Sequence, residues 1–283
     1  MDDVFEGHSS NSEFSDGYDV IEEPYHRVAR RIADVLRNKS AKPKTVLIDD
    51  IENIQQAVRS SIRIDSIYVS TGTSSNVVND ICELAGNVPV YVLSHKVMAS
   101  LFGAEKRSRV FALAQVPRPT QLSDLSDSEG DIVVLDGVRL AGNIGAIIRT
   151  SVGFGVSALV LLDSGLRNIF DRRLIRASRG LVFTLPIVLA SSGELSDYVQ
   201  LERMPVGTLA ANATDRLDSL GNVPGRMAII LGSERKGVSE RLQSIASYRC
   251  SIPMSPEIES FNVSVSAGIA LYARNRSRWS MGR

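Results

Sequence analysis

The chain has 283 residues, 43% hydrophobic and 23% charged, the make-up of a globular protein long enough for two domains. No apolar run nears the roughly 20 residues that cross a bilayer, and the start of the chain lacks the basic-then-apolar pattern of an export signal. The net charge of zero hides an asymmetry: residues 1–25 hold eight acids and no Lys or Arg, so the remainder carries 32 bases against 24 acids. A body with that excess of positive charge can bind a polyanion. Cys82 and Cys250 stand far apart and in no metal-type spacing, which reads as two buried thiols of a cytoplasmic protein.

Residues 1–25 are rich in Ser, Gly, Asp and Glu without an apolar period and read as a disordered acidic tail. From Tyr25 the pattern becomes helical, with Val28, Ile32, Val35 and Leu36 on one face and Arg27, Arg30, Arg31 and Arg37 elsewhere. Strand KTVLIDD, helix IENIQQAVRSS, strand IDSIYVS, helix SNVVNDICELAG, strand VPVYVLS, helix HKVMASLFG and strand SRVFALAQV follow. This alternation makes residues 26–116 a small α/β domain. Its loop GAEKRSR offers Lys106, Arg107 and Arg109 to an RNA backbone, or is an ordinary exposed turn. Residues 117–130, with two prolines and a Ser/Asp run, read as a linker.

Residues 131–283 alternate again. Buried-type strands DIVVLDGV, ALVLLDS, LPIVLA, VGTLAAN, RMAIILG and RCSIPM are separated by AGNIGAIIRTSVGFG, the basic stretch DRRLIRASRGLVF read as one helix, ELSDYVQLERM and VSERLQSIAS, and a C-terminal helix closes the chain. That is a mainly parallel sheet covered on both faces, with ligands beyond the carboxyl ends of the strands.

Two apparent nucleotide motifs fail on context. GFGVSA ends a helix and precedes a strand, whereas the dinucleotide fingerprint follows a strand and opens a helix. GSERKGVS lacks the Lys-Ser/Thr of a P-loop. All three histidines precede residue 131, which excludes a His-based triad within the second domain. No cluster of metal ligands is visible, so no metal is expected.

Three segments remain. In LDGVRLAGNIGAIIRT the chain turns through glycines, Asn143 opens a helix and Arg149 follows; Gly142 and Gly145 let another backbone approach, unless Asn143 is a simple cap. IILGSERKG runs a strand into Gly232-Ser233-Glu234, a turn that can hold a ligand or merely start a helix. IPMSPEIESFNVSVSAGIALYAR joins a strand, a polar loop and a helix start at Ser260 and Asn262. Its small residues Ser264, Ser266, Ala267, Gly268 and Ala270 imply a second backbone close by.

In this order, Asn143 to Thr150, Leu231 to Glu234 and Phe261 to Ser264 resemble the three motifs of the SpoU family of RNA 2′-O-ribose methyltransferases, in the SPOUT superfamily. Nearly everything from residue 26 on is similar to the thiostrepton/nosiheptide-resistance branch; Phe261 stands where a Leu is usual. The resemblance implies a ribosomal-protein-like α/β RNA-binding domain followed by a trefoil-knotted α/β methyltransferase domain, assembled as a homodimer with the active site at the subunit interface. It implies S-adenosylmethionine as cofactor, held by Thr208, Leu209, Leu231, Gly232, Ser233, Glu234, Ile252, Met254, Ser260, Phe261, Asn262 and Ser264. Arg149 is then the catalytic candidate, with Asn143 and Glu234 holding the site. Arg172, Arg173, Arg176 and Arg179 join Lys106, Arg107 and Arg109 as RNA-binding candidates. The implied reaction methylates one adenosine ribose in the GTPase-centre region of 23S ribosomal RNA and confers thiopeptide resistance. A housekeeping SpoU enzyme for transfer RNA or another ribosomal RNA site, and a non-catalytic RNA-binding protein, stay open as alternatives.

Overall fold

Two sheets carry the fold, and the chain divides between them after Val116. The computed structural model describes residues 20–74, 86–103, 108–210, 213 and 215–280, the side chains of 277–280 apart. Lys106, Arg107, Cys82 and nearly all of the expected helix 75–86 therefore lie outside the described residues.

The first unit contains β1 (Val20–Ile21), α1 (Arg27–Arg37), β2 (Thr45–Asp49), α2 (Ile51–Arg59), β3 (Ile64–Ser70), β4 (Val90–Leu93), α3 (His95–Phe102) and β5 (Val110–Gln115). Its sheet order is β1-β4-β3-β5-β2. β1, β4 and β3 run parallel, and β5 runs antiparallel to both neighbours. Ile32 of α1 and Met98 of α3 are buried with Leu47, Tyr68 and Phe111 from the strands. The sheet takes in residues that the acidic composition assigns to the tail. Val20–Ile21 pairs with Val92–Leu93, and Glu23 meets Lys96 at 3.0 Å. Two apolar residues suffice to extend a sheet edge, which a count of acids overlooks.

The second unit contains β6 (Ile132–Asp136), α4 (Ala141–Gly153), β7 (Ala158–Leu162), α5 (Arg172–Ala177), β8 (Ile187–Ala190), α6 (Ser192–Leu201), β9 (Val206–Leu209), β10 (Asp215–Arg216), β11 (Ala228–Gly232), α7 (Glu240–Ser244), β12 (Tyr248–Ser251) and α8 (Val263–Ser280). All seven strands are parallel, in the order β10-β12-β9-β11-β6-β7-β8. β7 is apolar throughout, and β6 and β11 are apolar up to their last residues, Asp136 and Gly232, because both faces are covered. Ile132, Val134, Val160 and Ile230 pack on one face with Leu195 and Tyr198 of α6 and Leu242 of α7. Elsewhere α4 packs against both α5 and α8.

β12 lies between β9 and β10, which are consecutive in the chain. Leu209, Cys250 and Asp215 share one register level, so β12 runs between two strands that are consecutive in the chain. The last strand is thus inserted between two strands laid down before it, the order of a trefoil-knotted domain, an exception to unknotted topology. Arg274 of α8 fastens this crossing. It is fully buried and donates Nε to Asp131 Oδ2 (2.8 Å), Nη1 to the carbonyls of Leu220 and Val223 (2.7 and 2.6 Å), and Nη2 to Asp131 Oδ1 (3.0 Å) and the Gly225 carbonyl. Cys250, at the same crossing, is buried, and burial pushes its thiol up.

Two segments differ from the sequence reading. The stretch 117–130 folds onto the second unit. Leu122–Leu125 forms a 3-10 turn whose Leu125 is buried in the core, and Arg226 donates to the carbonyls of Leu125 and Ser128. The helix expected over 171–183 stops at Ala177. Arg179 and Gly180 both take positive φ (53° and 75°), and Gly180 N donates to the Ile175 carbonyl, closing the helix end. Gly180 was the stop signal, outweighed by the apolar residues on either side.

Candidate active site

The three glycine- and asparagine-bearing turns meet at the carboxyl ends of β6, β9, β11 and β12. After β6 the chain turns at Gly137 (φ 72°), where an added Cβ would lie 3.8 Å from the Ser233 side chain in the turn after β11. The second turn is closed by Gly237 N donating to the Ser233 carbonyl at 2.8 Å. Asp136 anchors its far end by accepting from Ser239 N at 2.7 Å. Gly232 lies beneath it: an added Cβ would collide with Gly237 and Val238 backbone. Only glycine fits there.

Asn143 falls inside the first turn of α4 and caps nothing; Leu140 is the N-cap position. Its amide instead donates to Glu234 Oε1 at 3.0 Å. Asn262 donates to the same oxygen at 3.0 Å and to Asn143 Oδ1 at 3.2 Å. Its own carbonyl oxygen accepts from Ser264 N (2.9 Å) and Oγ (2.6 Å), the geometry of a helix N-cap. Three residues separated by 91 and 28 positions thus form one triangle of side chains. A charged acceptor shared by two amides holds three turns in register.

Beside the triangle lies a cavity of about 310 Å³. Leu209, Leu231, Ile252, Met254 and Phe261 give it apolar walls, and Gly232, Ser233, Glu234 and Ser260 give it polar ones. An apolar slot with backbone and a few polar groups at one end suits a nucleoside. Thr208, Asn262 and Ser264 do not line it. Thr208 is buried within β9, and the other two are engaged in the triangle and cap. Ala210, Gly237, Glu259, Val263 and Ser266 line it without having been foreseen. Val263 and Ser266 are three apart on α8, a spacing legible in the sequence; Glu259 gave no signal beyond its polar loop.

Arg149 is not brought to the triangle within one chain. It is exposed, six residues beyond Asn143, roughly 9 Å further along α4 and on another side of it. Of the small residues, Gly145 makes the close approach: a Cβ there would lie 2.5 Å from Ala177, whereas Gly142 has open space and Gly268 only an ordinary contact with Thr150. Among the RNA-binding candidates, Arg173 is paired with Asp171 at 3.0 Å, and that hydrogen bond holds the Asp171 carboxyl below its usual range. Arg109 and Arg179 are exposed. Among the described residues no group of three His, Cys, Asp or Glu could hold a metal ion.

Replacing Gly232 by alanine is expected to lift the 233–237 turn and weaken cofactor binding about tenfold or more, the scale of about 1–3 kcal/mol of overpacking. Calorimetric titration with S-adenosylmethionine measures it, and unchanged affinity would mean that the turn does not form the cavity.

A knotted parallel sheet with a nucleoside-sized cavity at the crossing defines the domain as an α/β-knot cofactor-binding fold. Residues 131–272 match the SpoU rRNA methylase family, and residues 18–128 match the N terminus of the thiostrepton-resistance methylases. The chain belongs to the SpoU rRNA methylase family. It is 40% identical to the 23S rRNA (adenosine(1067)-2′-O)-methyltransferase of Streptomyces azureus, over 90% of this chain and 95% of that one. It is 41% identical to the enzyme of the same description from Streptomyces laurentii, over 94% and 98%. A crystal structure of an RNA 2′-O ribose methyltransferase superposes with a TM-score of 0.76 at 25% identity, covering 92% of this chain and 99% of that one. The fold is also that of a SpoU methyltransferase from Streptomyces viridochromogenes solved with S-adenosylmethionine (TM-score 0.75, 21% identity, 89% and 98% covered).

Proposed function

We propose that this protein transfers a methyl group from S-adenosylmethionine to the 2′-hydroxyl of an adenosine ribose in 23S ribosomal RNA, and so confers resistance to thiopeptide antibiotics. The Asn143–Glu234–Asn262 triangle at the rim of the cavity carries this reading. The choice of adenosine follows the two Streptomyces relatives. Such a substrate places the enzyme in the cytoplasm.

The cavity suits the donor. Leu209, Leu231, Ile252, Met254 and Phe261 would enclose its adenine, and Ser233, Glu259 and Ser260 offer partners for its polar groups. When bound, it supplies an activated methyl on a sulfonium with a good leaving group. The protein's share is in-line positioning of the ribose hydroxyl, whose proton passes to solvent water as its oxygen takes the methyl. Asn143 and Glu234 fix the shape of the site. Arg149 orients the ribose and stabilises the forming alkoxide, since a guanidinium stays protonated.

Because Arg149 lies away from the triangle of its own chain, Arg149 of the partner subunit completes the site. α8 offers a face for that partner: Val265 and Tyr272, two turns apart on one side, are 48% and 54% exposed. The first unit, with Lys106, Arg107 and Arg109, and the α5 region, with Arg172, Arg173, Arg176 and Arg179, bind the RNA backbone.

Primer extension on protein-free 23S rRNA tests the reaction. One new stop is expected, dependent on S-adenosylmethionine, at the adenosine for which the two relatives are named. A stop at another nucleotide would favour a housekeeping enzyme; no stop would sink the enzymatic reading.

A further inference from the structure

A second cavity, of about 450 Å³, adjoins the first and shares Ser233, Glu234 and Val263 with it. Its character differs. Arg139 from the turn after β6 and Arg235 and Lys236 from the turn after β11 line it, with Asn143, Glu234 and Asp163. The triangle therefore stands at the seam between a cavity lined by two acids and no base and one lined by three bases. A methyl transfer needs donor and acceptor on two sides of such a seam.

We propose that the cationic cavity receives the acceptor nucleotide, with Arg139 and Lys236 as positioning residues that hold the phosphates flanking the methylated ribose. This assignment rests on the functional reading above and goes beyond it in naming the residues that seat the substrate. Arg139 is held ready by Asp163. Its Nε donates to the Asp163 main-chain carbonyl at 3.1 Å, and its Nη2 lies 3.4 Å from the carboxylate. That pair is long, and its side chains are 65% and 81% exposed, so solvent screens it and a phosphate can take its place. Lys236 is carried by the same closed turn as Glu234, so a phosphate seated there is in fixed register with the triangle.

The test uses the full-length protein and a 23S fragment, with S-adenosylhomocysteine for the binding measurements and S-adenosylmethionine for methyl transfer. RNA affinity is measured across a salt series for the wild type, Arg139→Ala, Lys236→Ala and the double variant, together with methyl transfer. Each substitution is expected to weaken RNA binding about tenfold at low salt and to lower the slope of log K against log salt by about 0.7, one single-strand phosphate contact. Cofactor affinity and melting temperature stay at wild-type values, and Arg139→Lys and Lys236→Arg recover most of the slope. Variants that keep the wild-type slope and transfer rate overturn the assignment while leaving the functional reading standing. A wild-type chain that binds the fragment but transfers no methyl to it instead overturns the functional reading.

Discussion

Arg274→Ala is expected to destabilise the second unit by about 3–5 kcal/mol, the cost of removing one partner from a buried ion pair. The guanidinium is fully buried, and its contacts to Asp131, Leu220, Val223 and Gly225 use all five of its donors. Alanine takes the cation from a carboxylate that is 3% exposed and from three loop carbonyls, and leaves a cavity between α8 and the loop. Total stability of a domain is about 5–15 kcal/mol, so the loss is a large part of it. Lysine cannot rescue it, because one ammonium does not reproduce a five-donor fork. The double variant R274M/D131L is expected to recover much of the stability, since it removes both charges together. Denaturant titration followed by circular dichroism measures all four proteins. A loss under about 1 kcal/mol for Arg274→Ala would show that the crossing is held by apolar packing alone.

The second large effect concerns the shared active site. Arg149→Ala and Asn262→Ala are each expected to lose at least a hundredfold in methyl transfer, the scale of removing one preorganised electrostatic group. Mixed and refolded in equal amounts, the two inactive proteins should recover about a quarter of wild-type activity. Half of the dimers are then mixed, and each mixed dimer contains one site with both residues intact. If Arg149 instead served its own chain, every site in a mixed dimer would lack one residue and no activity would return. Unchanged transfer by Arg149→Ala alone would remove this residue from the mechanism. Cofactor binding should stay within a few-fold of wild type in that variant, because Arg149 does not line the cavity.

Much of the fold could be read before any coordinates. Strands β6, β7 and β11 carry apolar runs of at least four residues because both faces of a parallel sheet are covered, and such runs report burial directly. Asn143, Glu234 and Asn262 stood out because they fall in three motifs whose order and spacing resemble those of the SpoU family. Elsewhere local pattern misled. The stretch 117–130 looked like a linker from its prolines and serines, yet Leu125 reaches the core and Arg226, about a hundred residues away, ties it down.

The sequence by itself determined most of the elements and the family the chain belongs to, because these depend on spacing along the chain and on side-chain type. Only the tertiary structure decided that β12 runs between β9 and β10, that Arg274 locks the crossing, that Asn143 reaches Glu234 rather than capping its helix, and that Arg149 stays apart from both. Each of these is a meeting of residues distant in sequence, set by the order in which strands are laid into a sheet, and no local periodicity records that order.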